Sequence, residues 1–255
     1  MNIIIKNERE IEKMRIACAC AARVLDRVSA LVRPGITTGD VDGAAADFMA
    51  EEKCKSAFLG YRKFPGHICI SVNEEVVHGI GGARRIQYGD IVKLDVGVVK
   101  DGWVGDTAKT VPVGAIRPDW SRLLAVTEDV LERVIPMATA GRRLGDLSAF
   151  IEDECVANGY NVVREFVGHG VGRNLHEDPQ VPNFGRPGSG PKLKAGMTIA
   201  IEPMVNMGTA SVRTLDDQWT VVTADGQPSA HFEHTILITK ENPEILTWRQ
   251  RQASK

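Results

Sequence analysis

Long apolar runs are absent from this chain of 255 residues. No segment approaches the ~18 apolar residues that a membrane-spanning helix requires. Near the N-terminus, residues 3–5 are isoleucines, and the charged residues that follow leave a run too short for the core of a signal peptide. We therefore expect a soluble protein with no membrane anchor.

The small net charge and the odd number of cysteines exclude further classes of protein. The chain carries 31 basic and 33 acidic residues, a formal charge of −2, so it has no excess positive charge with which to hold nucleic acid or a membrane surface. Its five cysteines are odd in number and none have the CxxC spacing, which argues against a disulfide framework and a zinc ribbon. This cysteine usage favours a reducing cytoplasm.

A hairpin with two aspartates is the most informative stretch that is present. Strands are predicted at Ile91–Val99 and Trp103–Val113, because Asp101-Gly102 between them is a strong hairpin turn. Asp95 lies in a nearly continuous apolar run, and Asp106 lies in the second strand. A buried carboxylate is costly unless it is protonated, paired with a positive charge or bound to a metal. Asp95 therefore requires one of these three explanations.

Hydrophobic spacing and capping residues predict four helices and further strands around the hairpin. Asn7 is a candidate N-cap, and apolar residues recur after it at helical spacing as far as Pro34. The other predicted helices span Asp40–Lys53, Asp119–Met137 and Asp146–Asn158, and the other strands span His67–Val72, Met197–Val205 and His231–Thr239.

An internal repeat organises these elements. The pattern Gly-x-x-x-Gly-Asp-aliphatic begins at Gly35 and again 106 residues later at Gly141. The stretch Gly89–Asp95 aligns with Gly196–Glu202 at an offset of 107. Because the matches keep their order, we interpret them as two helix-helix-hairpin units at about 7–113 and 119–240. They would form one pseudo-symmetric α/β (α+β) domain over residues 1–255, with a short tail at 241–255.

Four acidic side chains from the two hairpins are predicted to converge: Asp95, Asp106, Glu202 and Glu233. Four ionised carboxylates in an apolar sheet repel one another, and two divalent cations would neutralise them. The charge count therefore favours a two-metal site.

A neutral nitrogen is a common additional ligand in such sites, and six histidines are candidates. His169 and His176 lie in a glycine-broken segment shortly before the predicted strand that carries Glu202. We interpret His67 and His231 as structural or exposed, and His234 as a neighbour of the site that does not bind metal.

Together these motifs resemble a type I methionine aminopeptidase of the pita-bread fold, over nearly the whole chain. The resemblance rests on His78, Asp95, Asp106, His169 in GHGVGRNLHEDP, Glu202 in AIEPMV and Glu233 in FEHTILIT, whose identities and spacings agree. It implies a pseudo-two-fold pair of helix-helix-β-hairpin units that form a curved antiparallel sheet covered by helices. It also implies a dinuclear metal site, with Asp95 and Asp106 on one ion, Asp106 and Glu233 bridging, and His169 and Glu202 on the other.

The resemblance further implies an aminopeptidase that removes the initiator methionine from nascent or newly made proteins when the second residue is small. A bridging hydroxide on the two metal ions would attack the scissile carbonyl. Glu202 would carry a proton to the leaving amine, with His176 near the carbonyl oxygen and His78 near the leaving nitrogen, and neither histidine would bind metal. The expected partners are peptide N-termini, with transient contact to the ribosome. We expect a cytoplasmic monomer that binds neither nucleic acid nor membrane.

An apolar pocket is expected to select methionine, because a flexible thioether suits soft and aromatic surfaces. By resemblance, it is lined by Phe58, Tyr61, Phe64, Cys69, Leu175 and Trp219. Relatives often have a small residue in place of Phe58 and an aromatic in place of Leu175, which we interpret as a volume swap across the pocket. Arg62 and Phe64 replace a histidine and a tyrosine of several relatives. We therefore expect a retained methionine preference with altered inhibitor fit.

A carboxylate-rich site with one imidazole accepts Co, Mn, Fe or Zn, and the resemblance suggests one Na or K ion near Asn73, Glu75 and Ser229. Two other functions remain open. A proline-directed peptidase, such as prolidase or aminopeptidase P, shares the five ligands but generally carries an additional N-terminal domain. A non-catalytic pita-bread protein that binds nucleic acid or partners would have lost ligands and gained basic surface, unlike this chain.

Overall fold

The computed structural model describes residues 2–248 and consists of helices and antiparallel sheets, as predicted. Its helices are α1 (Glu8–Leu31), α2 (Thr38–Glu51), α3 (Pro118–Val134) and α4 (Leu144–Ala157), with 3-10 turns at Tyr61–Lys63 and Ile135–Met137. Its strands are β1 (Lys55–Ser56), β2 (Cys69–Val72), β3 (Glu75–Val77), β4 (Ile91–Lys100), β5 (Trp103–Pro112), β6 (Asn161–Val162), β7 (Gly168–Gly170), β8 (Glu177–Val181), β9 (Thr198–Ile201), β10 (Met204–Asn206), β11 (Val212–Thr214), β12 (Val221–Thr223), β13 (Ser229–His231), β14 (Glu233–Leu237) and β15 (Glu244–Ile245). Met1 and residues 249–255 of the predicted tail lie outside the described residues.

Helix α1 begins where the sequence predicts. The Asn7 side chain accepts hydrogen bonds from the backbone N–H groups of Arg9 and Glu10, and the Glu10 carboxylate accepts one from the backbone N–H of Asn7. This capping box satisfies donors that the first turn of a helix leaves unpaired. One face of α1 is buried, including Met14 and Leu25. Burial of each such large side chain contributes about 1.5–3 kcal/mol to stability.

Two helix pairs cover the same face of the central sheet. Its nine strands run in the order β1-β4-β5-β14-β9-β7-β8, with β2 paired to β4 and β15 paired to β14. Helices α1 and α2 share one apolar cluster with β2 and β4, whereas α3 and α4 share another with β9 and β14. Two three-stranded sheets, β13-β10-β6 and β11-β12-β3, complete the fold. Strands β5, β14 and β9 therefore lie side by side at the centre of the molecule.

The turns that precede α2 and α4 have the same local structure. Gly35 and Gly141 have positive φ angles of 91° and 96°, a conformation that favours glycine. After each turn, an aspartate accepts a hydrogen bond from the backbone N–H three residues before it, at 3.0 Å for Asp40 and 3.2 Å for Asp146. This likeness supports the predicted duplication, whose bounds at about 7–113 and 119–240 stay a prediction.

Two predicted strands are interrupted near the carboxylates. The sequence predicts one strand over Met197–Val205, but Glu202-Pro203 separates β9 from β10, because proline has no N–H to donate within a sheet. The predicted strand over His231–Thr239 is divided at Phe232 into β13 and β14. In both cases the two parts pair in different sheets, β9 with β14 and β10 with β13. Both breaks adjoin a predicted metal ligand.

The predicted tail contains strand β15, which pairs with the C-terminal part of β14 at Ile236 and Leu237. Within residues 2–248, no helix combines the length and the apolar character needed to cross a bilayer.

Candidate metal centre

The register of the β4–β5 hairpin places its two aspartates on one face of the sheet. Asp95 lies opposite Ala108, and Asp106 lies opposite Gly97. Residues that lie opposite each other share a face, as do residues two apart along one strand. Asp95 and Asp106 are therefore diagonal neighbours on the same face.

Strands β14, β9 and β7 bring three more candidate ligands to this face. Glu233 also lies opposite Ala108, Glu202 directly follows β9, and His169 lies in β7. Nε2 of His169 is 3.7 Å from Oδ2 of Asp106 and 3.5 Å from Oε1 of Glu202. Single ligand atoms of Asp106, His169 and Glu233 all lie within 4.8 Å of one another. The predicted ligands thus converge, with these three forming the tightest group.

Burial perturbs the ionisation of all five groups. It raises the pKa of Asp106 to about 7. Burial, together with the neighbouring carboxylates, raises the pKa values of Asp95, Glu202 and Glu233 well above their ordinary range. Burial also lowers the pKa of His169 to about 3, so its ring is neutral. Nδ1 of that ring lies 2.9 Å from the carbonyl oxygen of the next residue and donates to it, which leaves a lone pair on Nε2.

The donor set fits a divalent metal ion. One buried carboxylate oxygen of each of Asp95, Asp106 and Glu233 has no hydrogen-bond partner among the described residues. Such atoms are rare in native proteins, because each costs about 1–3 kcal/mol when left unpaired. Carboxylates combined with one neutral imidazole suit first-row divalent ions.

His78 and His176 lie beside this group, at a cavity of about 360 Å³ that we call the main cavity. The hydroxyl of Tyr61 is 2.8 Å from Nδ1 of His176, whose ring centroid is 4.4 Å from that of His169. The His78 ring packs edge-on against Phe166. Burial lowers the pKa of His78 to about 4, so this ring is also neutral at pH 7.

All six side chains predicted for the methionine pocket line the main cavity: Phe58, Tyr61, Phe64, Cys69, Leu175 and Trp219. Phe58 and Leu175 are buried in the same apolar cluster, and Phe64 packs edge-on against Trp219 at 5.1 Å between ring centroids. Arg62 also lines the cavity, with its guanidinium 5.4 Å from the Tyr61 ring. Five further apolar residues line the cavity and are not among the predicted residues: Val77, Phe166, Val167, Met204 and Val221.

A buried lysine contacts two of the three residues expected near a monovalent cation. Nζ of Lys93 donates to the carbonyl oxygens of Asn73 at 2.6 Å and Ser229 at 3.0 Å. The Glu75 carboxylate pairs with Arg84 at 2.6 Å and accepts a backbone N–H. Burial lowers the pKa of Lys93 to about 7, so its amino group is partly charged at pH 7. The Na or K ion stays a prediction.

Sequence reasoning missed two neighbours of the site, Lys93 and His231. His231 is 1% exposed, and its Nε2 is 3.6 Å from Oε2 of Glu202. Neither of its ring nitrogens has a hydrogen-bond partner within residues 2–248. The sequence did contain a signal that both residues lie near the site, because Lys93 precedes Asp95 by two residues and His231 precedes Glu233 by two. That spacing is typical of side chains on one face of a strand.

Comparison with known proteins agrees with this geometry. The sequence pattern of metallopeptidase family M24 matches residues 12–240. A methionine aminopeptidase of Clostridium perfringens (strain 13 / Type A) is 50% identical over 245 residues, which are 96% of this chain and 98% of that protein. The crystal structure of a methionine aminopeptidase from Thermotoga maritima matches with a TM-score of 0.96 at 47% identity, and covers 97% of this chain and 100% of that one.

The same fold occurs in a proline-directed peptidase. A prolidase from Pyrococcus furiosus matches with a TM-score of 0.78 at 22% identity, over 97% of this chain but 66% of that one. At this identity the likeness shows the fold alone. The two structural matches confirm the predicted pita-bread fold.

Proposed function

Because the chain belongs to metallopeptidase family M24, we propose that it removes the N-terminal methionine from peptides and newly made proteins whose second residue is small. Membership of this family makes it a metal-dependent hydrolase. The observation that carries the proposal is that the buried carboxylates and His169 line the same cavity as a set of apolar and aromatic side chains. Its relatives at 50% and 47% identity are methionine aminopeptidases over nearly their whole length, which supports methionine as the substrate residue.

Five side chains would hold two divalent ions, drawn from Co, Mn, Fe and Zn: Asp95, Asp106, His169, Glu202 and Glu233. When bound, such ions supply a Lewis acid that polarises the scissile carbonyl and lowers the pKa of a water molecule. The unpartnered oxygens of three of the carboxylates and the neutral imidazole support this assignment.

Three side chains would act on the peptide itself. The Glu202 carboxylate would hold a proton and deliver it to the leaving amine, and the buried His231 beside it limits where that carboxylate can turn. Nδ1 of His176 would accept a hydrogen bond from the Tyr61 hydroxyl. Nε2 would then carry the ring proton and donate it in a hydrogen bond to the substrate carbonyl oxygen. His78, neutral at pH 7, would hydrogen-bond the leaving nitrogen without adding charge.

The main cavity would receive the methionine side chain. Its aromatic and thiol-containing lining suits an uncharged, flexible thioether. Because Phe58, Arg62, Phe64 and Leu175 depart from the residues common in relatives, we infer a retained methionine preference with altered inhibitor fit. Equal turnover of Met-Gly-Met-Met and Leu-Gly-Met-Met would contradict this inference.

We propose that the protein acts on the N-termini of nascent chains and contacts the ribosome transiently. We also propose that it is a monomer in the cytoplasm. The formal charge of −2 supports the absence of a nucleic-acid partner.

The test compares hydrolysis of Met-Ala-Ser and the dipeptide Gly-Pro by the metal-loaded enzyme. Asp106→Asn removes one charge from the buried site with little change in shape. Asp101→Asn makes the same change in the exposed turn of the same hairpin and is the matched control. We expect the wild type and Asp101→Asn to release methionine, and Asp106→Asn to lose metal and at least ~100-fold of its activity.

Two results would overturn the proposal. Faster hydrolysis of Gly-Pro than of Met-Ala-Ser would favour the proline-directed alternative. Full activity and metal content in Asp106→Asn would exclude the proposed metal centre.

A further inference from the structure

Two cysteines that the metal centre does not use lie in direct contact. Cys20 is in α1, and Cys54 follows the end of α2. Their Sγ atoms are 3.0 Å apart, and both thiols are free. A shift of about 1 Å would bring them to the ~2.05 Å length of a disulfide bond. Sequence spacing does not predict this pair, because 34 residues separate its members.

A second cavity gives access to the pair. It measures about 340 Å³ and is lined by Met49, Cys54, Leu59 and His67, among others. Cys54 is 8% exposed, whereas Cys20 is fully buried. A small reagent can therefore reach Cys54 first, with Cys20 directly behind it.

The hydrogen bond between the two sulfurs favours ionisation of one thiol of the pair. It lowers the pKa of Cys20 and raises the pKa of Cys54, because the two sulfurs share one proton when one of them ionises. Two cations lie nearby: Arg23, which pairs with Glu52 at 2.7 Å, and Lys100, whose Nζ donates to the carbonyl oxygen of Glu52 at 2.6 Å. Because the two sulfurs share one hydrogen bond, either sulfur can carry the charge once a proton is lost. Thiolates near positive charge are the reactive form of cysteine.

The other three cysteines have no such environment. Burial raises the pKa of Cys155 to about 12 and raises the pKa values of Cys18 and Cys69 above the ordinary thiol value. Cys155, which lies far from the main cavity lining, therefore serves as the internal control.

We propose that Cys20 and Cys54 form a reversible redox pair that closes to a disulfide when a hydroperoxide enters the second cavity. The Cys20 thiolate accepts the proton of Cys54 across their hydrogen bond, and the Cys54 sulfur attacks the nearer peroxide oxygen. The O–O bond breaks, and the departing oxygen takes a proton and leaves as water or an alcohol. This step makes a sulfenic acid on Cys54. The Cys20 sulfur then attacks the Cys54 sulfur, the S–S bond forms, and the S–O bond breaks with release of water. The two thiols lose two electrons, and the peroxide gains them.

Closure would restrain the segment that leads to the main cavity. Ser56, two residues after Cys54, accepts hydrogen bonds at Oγ from the backbone N–H groups of Phe58 at 3.0 Å and Leu59 at 2.9 Å. The disulfide would tie this segment to α1, so its amide hydrogens should exchange more slowly after oxidation.

The experiment treats the full-length, manganese-loaded protein with hydrogen peroxide, blocks remaining thiols by alkylation and maps the peptides by mass spectrometry. We expect one cross-linked species that joins the Cys20 and Cys54 peptides, about 2 Da lighter than the reduced pair. Dithiothreitol should reverse it. Hydrogen exchange should slow over residues 55–59, and the melting temperature should rise by several degrees.

Cysteine variants distinguish disulfide formation by Cys20 and Cys54 from unspecific oxidation of cysteines. Cys155→Ser should cross-link like the wild type, whereas Cys54→Ser should form no cross-link and show no melting shift on oxidation. Cys20→Ala serves the same purpose if Cys54→Ser folds poorly. Sulfinic acid on Cys54 without a cross-link, or oxidation of Cys155 as fast as of the pair, would overturn the proposal.

Discussion

The ring of Phe58 lies directly against the backbone of Gly97. A Cβ added at Gly97 would meet ring carbons of Phe58 well inside 3.0 Å, the limit that real Cβ atoms respect. Gly97 lies opposite Asp106 in the hairpin, so this contact joins the cavity lining to the backbone beside the metal centre. A bulky residue at position 58 thus depends on the absence of a side chain at position 97.

Gly97→Ala should impair substrate binding. The added methyl group pushes the Phe58 ring into the main cavity, and overpacking of this kind costs about 1–3 kcal/mol. We expect KM for a methionyl peptide to rise by about tenfold, with metal content unchanged. Steady-state kinetics measure this effect. The single variant Phe58→Ala accounts for the loss of this part of the cavity lining, and the double variant Phe58→Ala/Gly97→Ala has room for the methyl group. Adding Gly97→Ala should therefore leave the KM of Phe58→Ala nearly unchanged, and a further rise of about tenfold would contradict the explanation.

Lys6→Met should destabilise the protein. Nζ of Lys6 is 2.7 Å from Oε2 of Glu177, and the two side chains are only 2% and 4% exposed. Removal of one partner from a buried ion pair costs about 3–5 kcal/mol, and chemical denaturation should show a loss of that size. Lys13→Met, at an exposed position of α1, should have little effect. The double variant Lys6→Met/Glu177→Gln should recover most of the loss, because no buried charge is left alone.

Lys93→Met should also lower the free energy of unfolding. It removes the amino group that donates to the carbonyl oxygens of Asn73 and Ser229. The Asn73 oxygen keeps the backbone N–H of Ser229 at 3.1 Å, so we expect a total loss of about 1–3 kcal/mol. Lys100 likewise donates to two carbonyl oxygens but is partly exposed, so water can replace it in Lys100→Met. Denaturation of the two variants side by side tests this. Equal losses of unfolding free energy in the two variants would show that the burial of Lys93 does not account for the destabilisation.

His78 should make the protein less stable at acidic pH. Burial lowers the pKa of His78 from 6.5 to about 4 in the folded state. Between these values the unfolded chain binds a proton that the folded chain does not, so stability present above pH ~6.5 is lost as the pH falls towards ~4. Because the ring is partly exposed at the cavity, we expect a contribution of about 1–2 kcal/mol between pH 7 and pH 5.

The measurement compares unfolding of the wild type and His78→Asn in EDTA at both pH values. Asparagine suits the positive φ of 61° at this position. The variant should lose less stability than the wild type on acidification, and parallel curves for the two proteins would contradict the assignment.

Local patterns predicted the elements well, because their signals lie within a few residues of one another. The capping box at Asn7 and the turn at Asp101-Gly102 are local, and the hairpin bounds agree with prediction to within one residue. The strand breaks at Pro203 and Phe232 were missed, since each depends on which sheet the next segment joins.

The sequence by itself determined which side chains could form a metal centre, because Asp95, Asp106, His169, Glu202 and Glu233 carry their chemistry and spacing along the chain. Only the tertiary structure decided four other contacts: Lys93 with two carbonyl oxygens, His231 with Glu202, Phe58 with Gly97, and, away from the metal centre, Cys20 with Cys54. Each of these contacts joins segments far apart in the chain. Their geometry depends on strand register and on close packing between elements, which no local periodicity encodes.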